Sequence, residues 1–253
     1  MVKCIVQIKC RTDKGKRRQI NQDMILSDSE RGLILLADGI GGGHRGGEVA
    51  SELAVNEAHA YLKDKLDLNP GKPVDPALLS EAVAHAHKII KEKARCSKEC
   101  HGMGTTLVIL LMQGRMASIC HVGDSRAYII QKEIQQITED HTFQNYIGQH
   151  ALIRSLFFHK KTRTLTQAVG ISEELCPESV QMEIANGAVL LLCSDGLTDM
   201  LSDTEILKII HDNKFDPDTS ADALVAEANK KGGIDNITVA LLSLQDNCRN
   251  KTK

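Results

Sequence analysis

The sequence predicts an α+β fold, and three observations carry that prediction. Apolar runs of strand length recur along the chain, two long stretches repeat with helical periodicity, and the two kinds of element come in blocks rather than in strict alternation. Helical patterns form a pair after the early strands and again near the end, with consecutive strands between them.

At the N-terminus, Val2, Cys4, Val6, Ile8 and Cys10 alternate with mostly polar neighbours, which is a strand pattern. Lysines interrupt this stretch and no cleavage site follows it, so it does not read as a signal peptide. Further strand-length runs lie at residues 33–37, 106–111, 117–122, 127–130, 188–193 and 237–244, and most stop at Gly or Asp. Residues 47–66 gather Val49, Leu53, Ala54, Ala58, Tyr61 and Leu62 on one side of a helix. After the NPGKP turn, residues 76–94 do the same with Leu79, Ala82, Val83, Ala86, Ile89 and Ile90. Ser202-Asp203-Thr204-Glu205 is a capping box that opens a short helix through Ile206, Ile209 and Ile210. Asp218 is expected to cap a last helix through Leu224, Val225 and Ala228. Periodicity leaves the sheet topology open. With no repeat, low-complexity segment or proline-rich linker, residues 1–253 read as a single domain.

Composition narrows the function. An apolar fraction of 42% with 25% charged residues supports a real core and excludes a disordered chain. A net charge of -2 argues against a nucleic-acid partner, and the short basic clusters at Lys14–Arg18 and Lys160–Arg163 read as solvated loops. No apolar run approaches a bilayer span, so no membrane partner is expected and a soluble, cytoplasmic protein is. The eight cysteines are scattered. Cys96, Cys100 and His101 come near one another but form no C-x-x-C pair, so reduced structural thiols are expected.

The chemistry is carried by aspartates at the ends of apolar strands. Asp38 follows LILLA and precedes a glycine-rich loop, Asp124 follows ASICHVG, and Asp195 follows AVLLLCS. Asp235 precedes the strand ITVALLSL, and Asp23 closes the stretch from Arg18. A carboxylate at the edge of a buried strand is costly unless it is paired or binds a cation. Any one Asp-Gly is more often a turn than a ligand. Five such sites in similar contexts instead suggest a converging cage of hard oxygen ligands suited to Mg²⁺ or Mn²⁺ rather than zinc. Gly39, beside Asp38, lets the backbone come close enough to offer its carbonyl.

The segments ADGIGGGHRGGEVAS, GMGTTLV, HVGDSRAY, ITEDHTF, LTQAVG, LLLCSDGLTDML and GGIDNITVALL closely resemble, in order, the motifs of the metal-dependent protein serine/threonine phosphatases of type 2C, the PPM family. The resemblance runs from about Thr12 to Leu244, and the compact form resembles the bacterial type. It implies one domain in which two packed antiparallel sheets are flanked by helix pairs, a four-layer α-β-β-α sandwich. It implies that Asp38 bridges two metal ions, that Asp195 and Asp235 complete the first, and that the Gly39 carbonyl and Asp23 serve the second. Asp124, with Asp195, is implied to hold a third, weaker ion, and Arg18 to grip the phosphoryl group. The implied reaction is hydrolysis of phosphoserine and phosphothreonine by direct attack of a metal-bridging water, without a phospho-enzyme. The implied partners are phosphorylated proteins and a cognate serine/threonine kinase pathway, and the expected state is a monomer. The alternatives are a non-catalytic phosphoprotein-binding relative and a hydrolase of small phosphate esters.

Departures from the pattern are specific. Gln22 stands where many relatives carry Glu, and Ile40 where animal relatives place a histidine proposed as general acid. A metal-bound water is therefore the expected proton donor, with His121 and His44 as alternatives. The segment from Phe143 to Arg163 diverges most, in the place of a flap that affects substrate choice in relatives. Its apolar residues Phe143, Tyr146, Ile147, Leu152, Ile153, Leu156 and Phe157 suggest a helix packed on the domain. Lys160 and Lys161 then offer a contact for acidic flanks of a phosphoprotein, against the simpler reading of a solvated loop. Cys193 lies beside Asp195, but its strand context predicts burial rather than a nucleophile.

Overall fold

The computed structural model describes residues 4–40, 46–69, 71–149 and 164–246. In chain order the elements are β1 (Cys4–Asp13), β2 (Asp23–Asp28), β3 (Leu33–Ile40), α1 (Gly46–Leu68), α2 (Ala77–Cys96), β4 (Gly104–Thr105), β5 (Leu107–Gln113), β6 (Met116–Val122), β7 (Arg126–Ile130) and β8 (Ile134–Gln136). There follow α3 (Phe143–Gln149), β9 (Glu178–Glu183), β10 (Val189–Cys193), α4 (Asp195–Thr198), α5 (Asp203–Asp212), α6 (Pro217–Lys230) and β11 (Ile237–Asp246).

The strands form two antiparallel sheets. One runs β1-β11-β10-β7-β8; the other runs β2-β3-β5-β6-β9, with β4 paired to β3. The central strands are apolar at nearly every position because both faces are covered. Along β3, Leu33, Leu35 and Ala37 pack against α1 and α2, while Ile34 and Leu36 face the opposite sheet. Along β10, Leu190 and Leu192 join that inter-sheet core, while Val189, Leu191 and Cys193 face Ile206 and Ile210 of α5 and Leu224 and Ala228 of α6. Three apolar layers therefore separate four structural layers, which is the α-β-β-α sandwich that the family resemblance implied.

Most sequence expectations hold, with informative differences. The first two helices bury Ala54, Ala58 and Leu62, and Leu79, Ala82, Val83, Ala86 and Ile90. Ser202 opens α5 as expected, its backbone N–H donating to Glu205 Oε2 at 3.0 Å. Asp218 does not cap the last helix. Asp216 does, accepting from the Thr219 N–H at 2.9 Å, because Pro217 supplies the first helical position. Asp218 instead pairs with Arg11 across to β1 at 2.9 Å. Of the expected run 106–111, Thr106 stands outside the strand between β4 and β5, its hydroxyl engaged by the Asp38 backbone. The sequence reading passed over β2, β8 and β9. β9 is an exposed edge strand with the sequence ESVQME, in which only Val180 and Met182 alternate, so its apolar signal is too short to stand out. Of the expected flap helix, residues 143–149 are helical, and residues 150–163 lie outside the described residues. Among the described residues, no helix is long and apolar enough to cross a membrane.

Candidate metal centre and active site

Five aspartates reach one end of the sandwich from both sheets. Antiparallel pairing of β2 with β3 sets Asp23 directly opposite Asp38, so the two side chains share a face. Asp195 begins α4 immediately after β10, and Asp235 lies just ahead of β11, the neighbour of β10. Asp124 occupies the turn from β6 to β7, where the chain passes from one sheet to the other.

Backbone contacts lock these positions. Asp38 donates its N–H to Thr106 Oγ1 at 2.9 Å, and its carbonyl accepts from the Thr106 N–H at 2.9 Å and the Thr105 hydroxyl at 2.8 Å. A Cβ on Gly39 would lie 2.2 Å from the Gly47 carbonyl oxygen, so β3 meets the start of α1 only because residue 39 lacks a side chain. A Cβ on Gly196 would lie 1.9 Å from the Asn236 carbonyl oxygen, which makes the same demand where the Asp195 and Asp235 segments meet. Asn236 pins the connection between β1 and β2 at three points. Its Nδ2 donates to the carbonyls of Lys14 and Ile20, both at 2.9 Å, and its Oδ1 accepts from the Gln22 N–H at 2.8 Å. Ser194 joins the sheets directly, donating its hydroxyl to Asp23 Oδ2 at 2.8 Å while accepting the Thr238 N–H at 3.0 Å.

The electrostatics follow from this crowding. Burial, then the charges of Asp23, Asp195, Asp235 and Asp124, pushes the Asp38 carboxyl well above the usual carboxylate range. Burial, reinforced by Asp195 and Asp235 and opposed by hydrogen bonds from Thr238 and Ser194, pushes Asp23 up to about 7. Burial, with Asp195 and Asp140, pushes Asp124 up to about 7. Arg18 answers part of this charge by donating from its guanidinium to Asp235 Oδ2; that bond, with the charges of Asp38 and Asp195, raises its own pKa. Among the described residues, Asp23 Oδ1 is buried with no hydrogen-bond partner. Oxygen-only donors, mutual repulsion and an unsatisfied buried carboxylate oxygen fit hard divalent cations.

A cavity of about 140 Å³ beside Asp124 and Asp195 is lined also by Arg126, Asp140, Thr142 and Gln144. Arg126 is bound through both Nε and a terminal nitrogen to Asp140, at 2.8 and 2.6 Å, and so serves the framework. A larger groove of about 1000 Å³ lies between β8 and α5, away from the aspartates. Converging carboxylates, rather than cavity size, locate the site.

The five strand-end aspartates thus form one linked cluster, with Arg18 at its edge and Gly39 wedged against α1. The bonds of the Thr105, Thr106 and Ser194 hydroxyls to Asp38 and Asp23 were not legible in the sequence, because nothing in the local contexts GTT and CS points to a distant aspartate. His121 is buried, its Nε2 donating to the Glu139 carbonyl at 2.8 Å. His44, Lys160 and Lys161 lie outside the described residues.

Comparison with known proteins gives a consistent result. A family model described as protein phosphatase 2C matches residues 12–230. The serine/threonine phosphatase stp of Listeria monocytogenes serovar 1/2a is 33% identical over 243 residues, covering 92% of this chain and 93% of that protein. The protein phosphatase PhpP of Streptococcus pneumoniae serotype 2 is 34% identical over 249 residues, covering 95% and 98%. The crystal structure of the Mycobacterium tuberculosis serine/threonine phosphatase PstP/Ppp superposes with a TM-score of 0.82 at 33% identity, covering 95% of this chain and 99% of that one. A structure of the PstP catalytic domain in complex with two manganese ions superposes with a TM-score of 0.81 at 33% identity, covering 96% and 100%. By sequence over most of its length, and by a fold that brings the motif aspartates together, the chain belongs to the protein phosphatase 2C family.

Proposed function

We propose that this protein is a Mg²⁺- or Mn²⁺-dependent phosphatase that hydrolyses phosphoserine and phosphothreonine in proteins. The observation that carries this reading is the convergence of five aspartates from both sheets, with Arg18 hydrogen-bonded to one of them. In this reading Asp38, Asp195 and Asp235 hold the first ion, and Asp38, the Gly39 carbonyl and Asp23 the second. Asp124 and Asp195 hold a third, weaker ion. When bound, the ions neutralise the cluster and activate a water as the nucleophile for direct attack on phosphorus.

The chain's own residues set the geometry of that attack. The bond of Arg18 to Asp235 supports a role for its planar fork in holding phosphoryl oxygens. Thr105 and Thr106 fix the Asp38 backbone, and Ser194 orients the Asp23 carboxylate. No cysteine is required: burial pushes the Cys193 thiol up to about 12, which leaves it protonated at neutral pH.

The sequence motifs from residue 12 to residue 244 support one phosphatase domain, acting as a monomer. A net charge of -2 supports a substrate other than nucleic acid. A cytoplasmic signalling role opposite a serine/threonine kinase completes the reading, supported by the similarity to the bacterial phosphatases above.

The test is phosphate release from phosphopeptides and from a small aryl phosphate, with Mn²⁺ and with chelator, for native protein and Asp38→Asn. Mn²⁺-dependent release from both substrates, abolished by the substitution, is expected. Full activity in chelator would overturn the metal-dependent reading. Activity confined to the aryl phosphate would overturn the protein substrate.

A further inference from the structure

Asp124 rides on the turn from β6 to β7, where Thr106 Oγ1 meets Ser125 Oγ at 2.7 Å after it and a buried histidine clasps Gly123 before it. Gly123, at φ +105°, donates its N–H to His141 Nδ1 at 3.1 Å, and its carbonyl accepts the His141 backbone N–H at 3.0 Å. His141 thus clasps the residue before Asp124 at two points. The histidine is 7% exposed, stacks on His121 with centroids 4.7 Å apart, and its carbonyl accepts the Thr166 N–H at 2.8 Å. A Cβ at Gly123 would lie 2.6 Å from the Thr106 side chain, so the turn is pressed from the opposite side as well.

The ring's protonation is decided by these partners. Because Nδ1 accepts an N–H, it carries no proton, and in the neutral ring the proton sits on Nε2. Among the described residues Nε2 has no hydrogen-bond partner, but it lies 3.2 Å from Glu178 Oε1 on β9, an acceptor placed to face an N–H. His121, His141 and Glu178 have ligand atoms within 4.8 Å of one another, the composition of a metal site. The hydrogen bonds argue otherwise. A histidine that ligates a metal donates through its other nitrogen, whereas the other nitrogen of His141 accepts. The trio fits a carboxylate-oriented imidazole, as in other sites where an acid sets the tautomer of a histidine.

We propose that His141 is a positioning residue for Asp124. Its Nδ1 and backbone N–H hold Gly123, and Glu178 keeps the proton on Nε2 so that Nδ1 stays an acceptor. The role rests on the assignment of Asp124 to the active site made above.

The test has two parts. In metal-free protein, long-range ¹H–¹⁵N NMR should show His141 as the Nε2–H tautomer. Glu178→Ala, at a half-exposed side chain, should shift the Gly123 amide resonance. With Mn²⁺, His141→Phe should raise the ion concentration for half-maximal activity by about tenfold, the low end for loss of an outer-shell partner. His141→Asn places an amide oxygen near the position of Nδ1 and should recover most of that loss. Combining His141→Phe with Asp124→Asn should add nothing to Asp124→Asn alone.

An Nδ1–H tautomer, an Asn variant no better than Phe, or additive losses in the double variant would each overturn the proposal. If His141→Phe fails to fold, Glu178→Ala decides: an unmoved Gly123 resonance overturns it. If Asp124→Asn leaves the Mn²⁺ requirement unchanged, the assignment of Asp124 fails and takes the positioning role with it. The NMR readouts would then report separately whether the clasp exists.

Discussion

Replacing Asp23 by Asn removes one charge from the carboxylate cluster while keeping the shape of the side chain and its contact with Ser194. Asp23 is pushed from 3.8 to about 7, chiefly by burial. Its folded pKa therefore lies above the unfolded value, and between about 4 and about 7 the native state binds the extra proton. Stability of the metal-free protein falls as pH rises through that window, and the full penalty applies above it. The shift of about three units corresponds to about 4 kcal/mol at 1.36 kcal/mol per unit. Because neighbouring carboxylates share the protons, about half of this is assignable to one residue, or about 2 kcal/mol. For a chain of this size that is a rise in Tm of about 4–8 °C. Calorimetry in chelator should show Asp23→Asn more stable than native protein at about pH 8, with the gain shrinking as pH falls toward about 4. Adding Mn²⁺ should narrow or reverse the order if Asp23 serves the ion as proposed. A variant no more stable than native protein in chelator at the higher pH, or a gain independent of pH, would refute the argument from carboxylate crowding.

Other expectations are more direct. Arg18→Met should raise KM for a small aryl phosphate by about tenfold or more, as loss of a charge-assisted phosphate contact implies; an unchanged KM would show that Arg18 serves only Asp235. Asn236→Ala should destabilise the fold by roughly 2–4 kcal/mol in a denaturant melt, because it leaves the Gln22 N–H and the Lys14 and Ile20 carbonyls without this partner. Gly196→Ala should lower metal affinity by calorimetry, since its Cβ would displace the Asn236 backbone beside Asp235. In native protein, Cys193 should resist alkylation at neutral pH while the exposed Cys96 and Cys176 react, as read by mass spectrometry; early labelling of Cys193 would contradict its burial.

Much of the site was legible because its chemistry is written at strand ends. Asp38, Asp195 and Asp235 stand beside long apolar runs, and their cost there is apparent without coordinates. The helix periods of α1 and α2 and the capping box of α5 were legible for the same reason, since each is a local pattern. Local reading failed where the partner is distant. Asp216 and Asp218 look alike as caps, and Pro217 together with the Arg11 contact decides between them. β9 carries only a short alternation, Val180 and Met182 among polar residues, because it is an exposed edge held by its pairing to β6.

Aspartates at the ends of apolar strands, and motifs in family order, made the carboxylates and the family legible from the residues alone. How the carboxylates are held came from tertiary contacts. Register sets Asp23 against Asp38, the hydroxyl of Ser194 links the sheets, and His141 clasps Gly123 from 18 residues away. Ligand identity is a property of single residues in a local context. Their placement depends on hydrogen bonds between segments as many as 222 positions apart, and no local pattern encodes these.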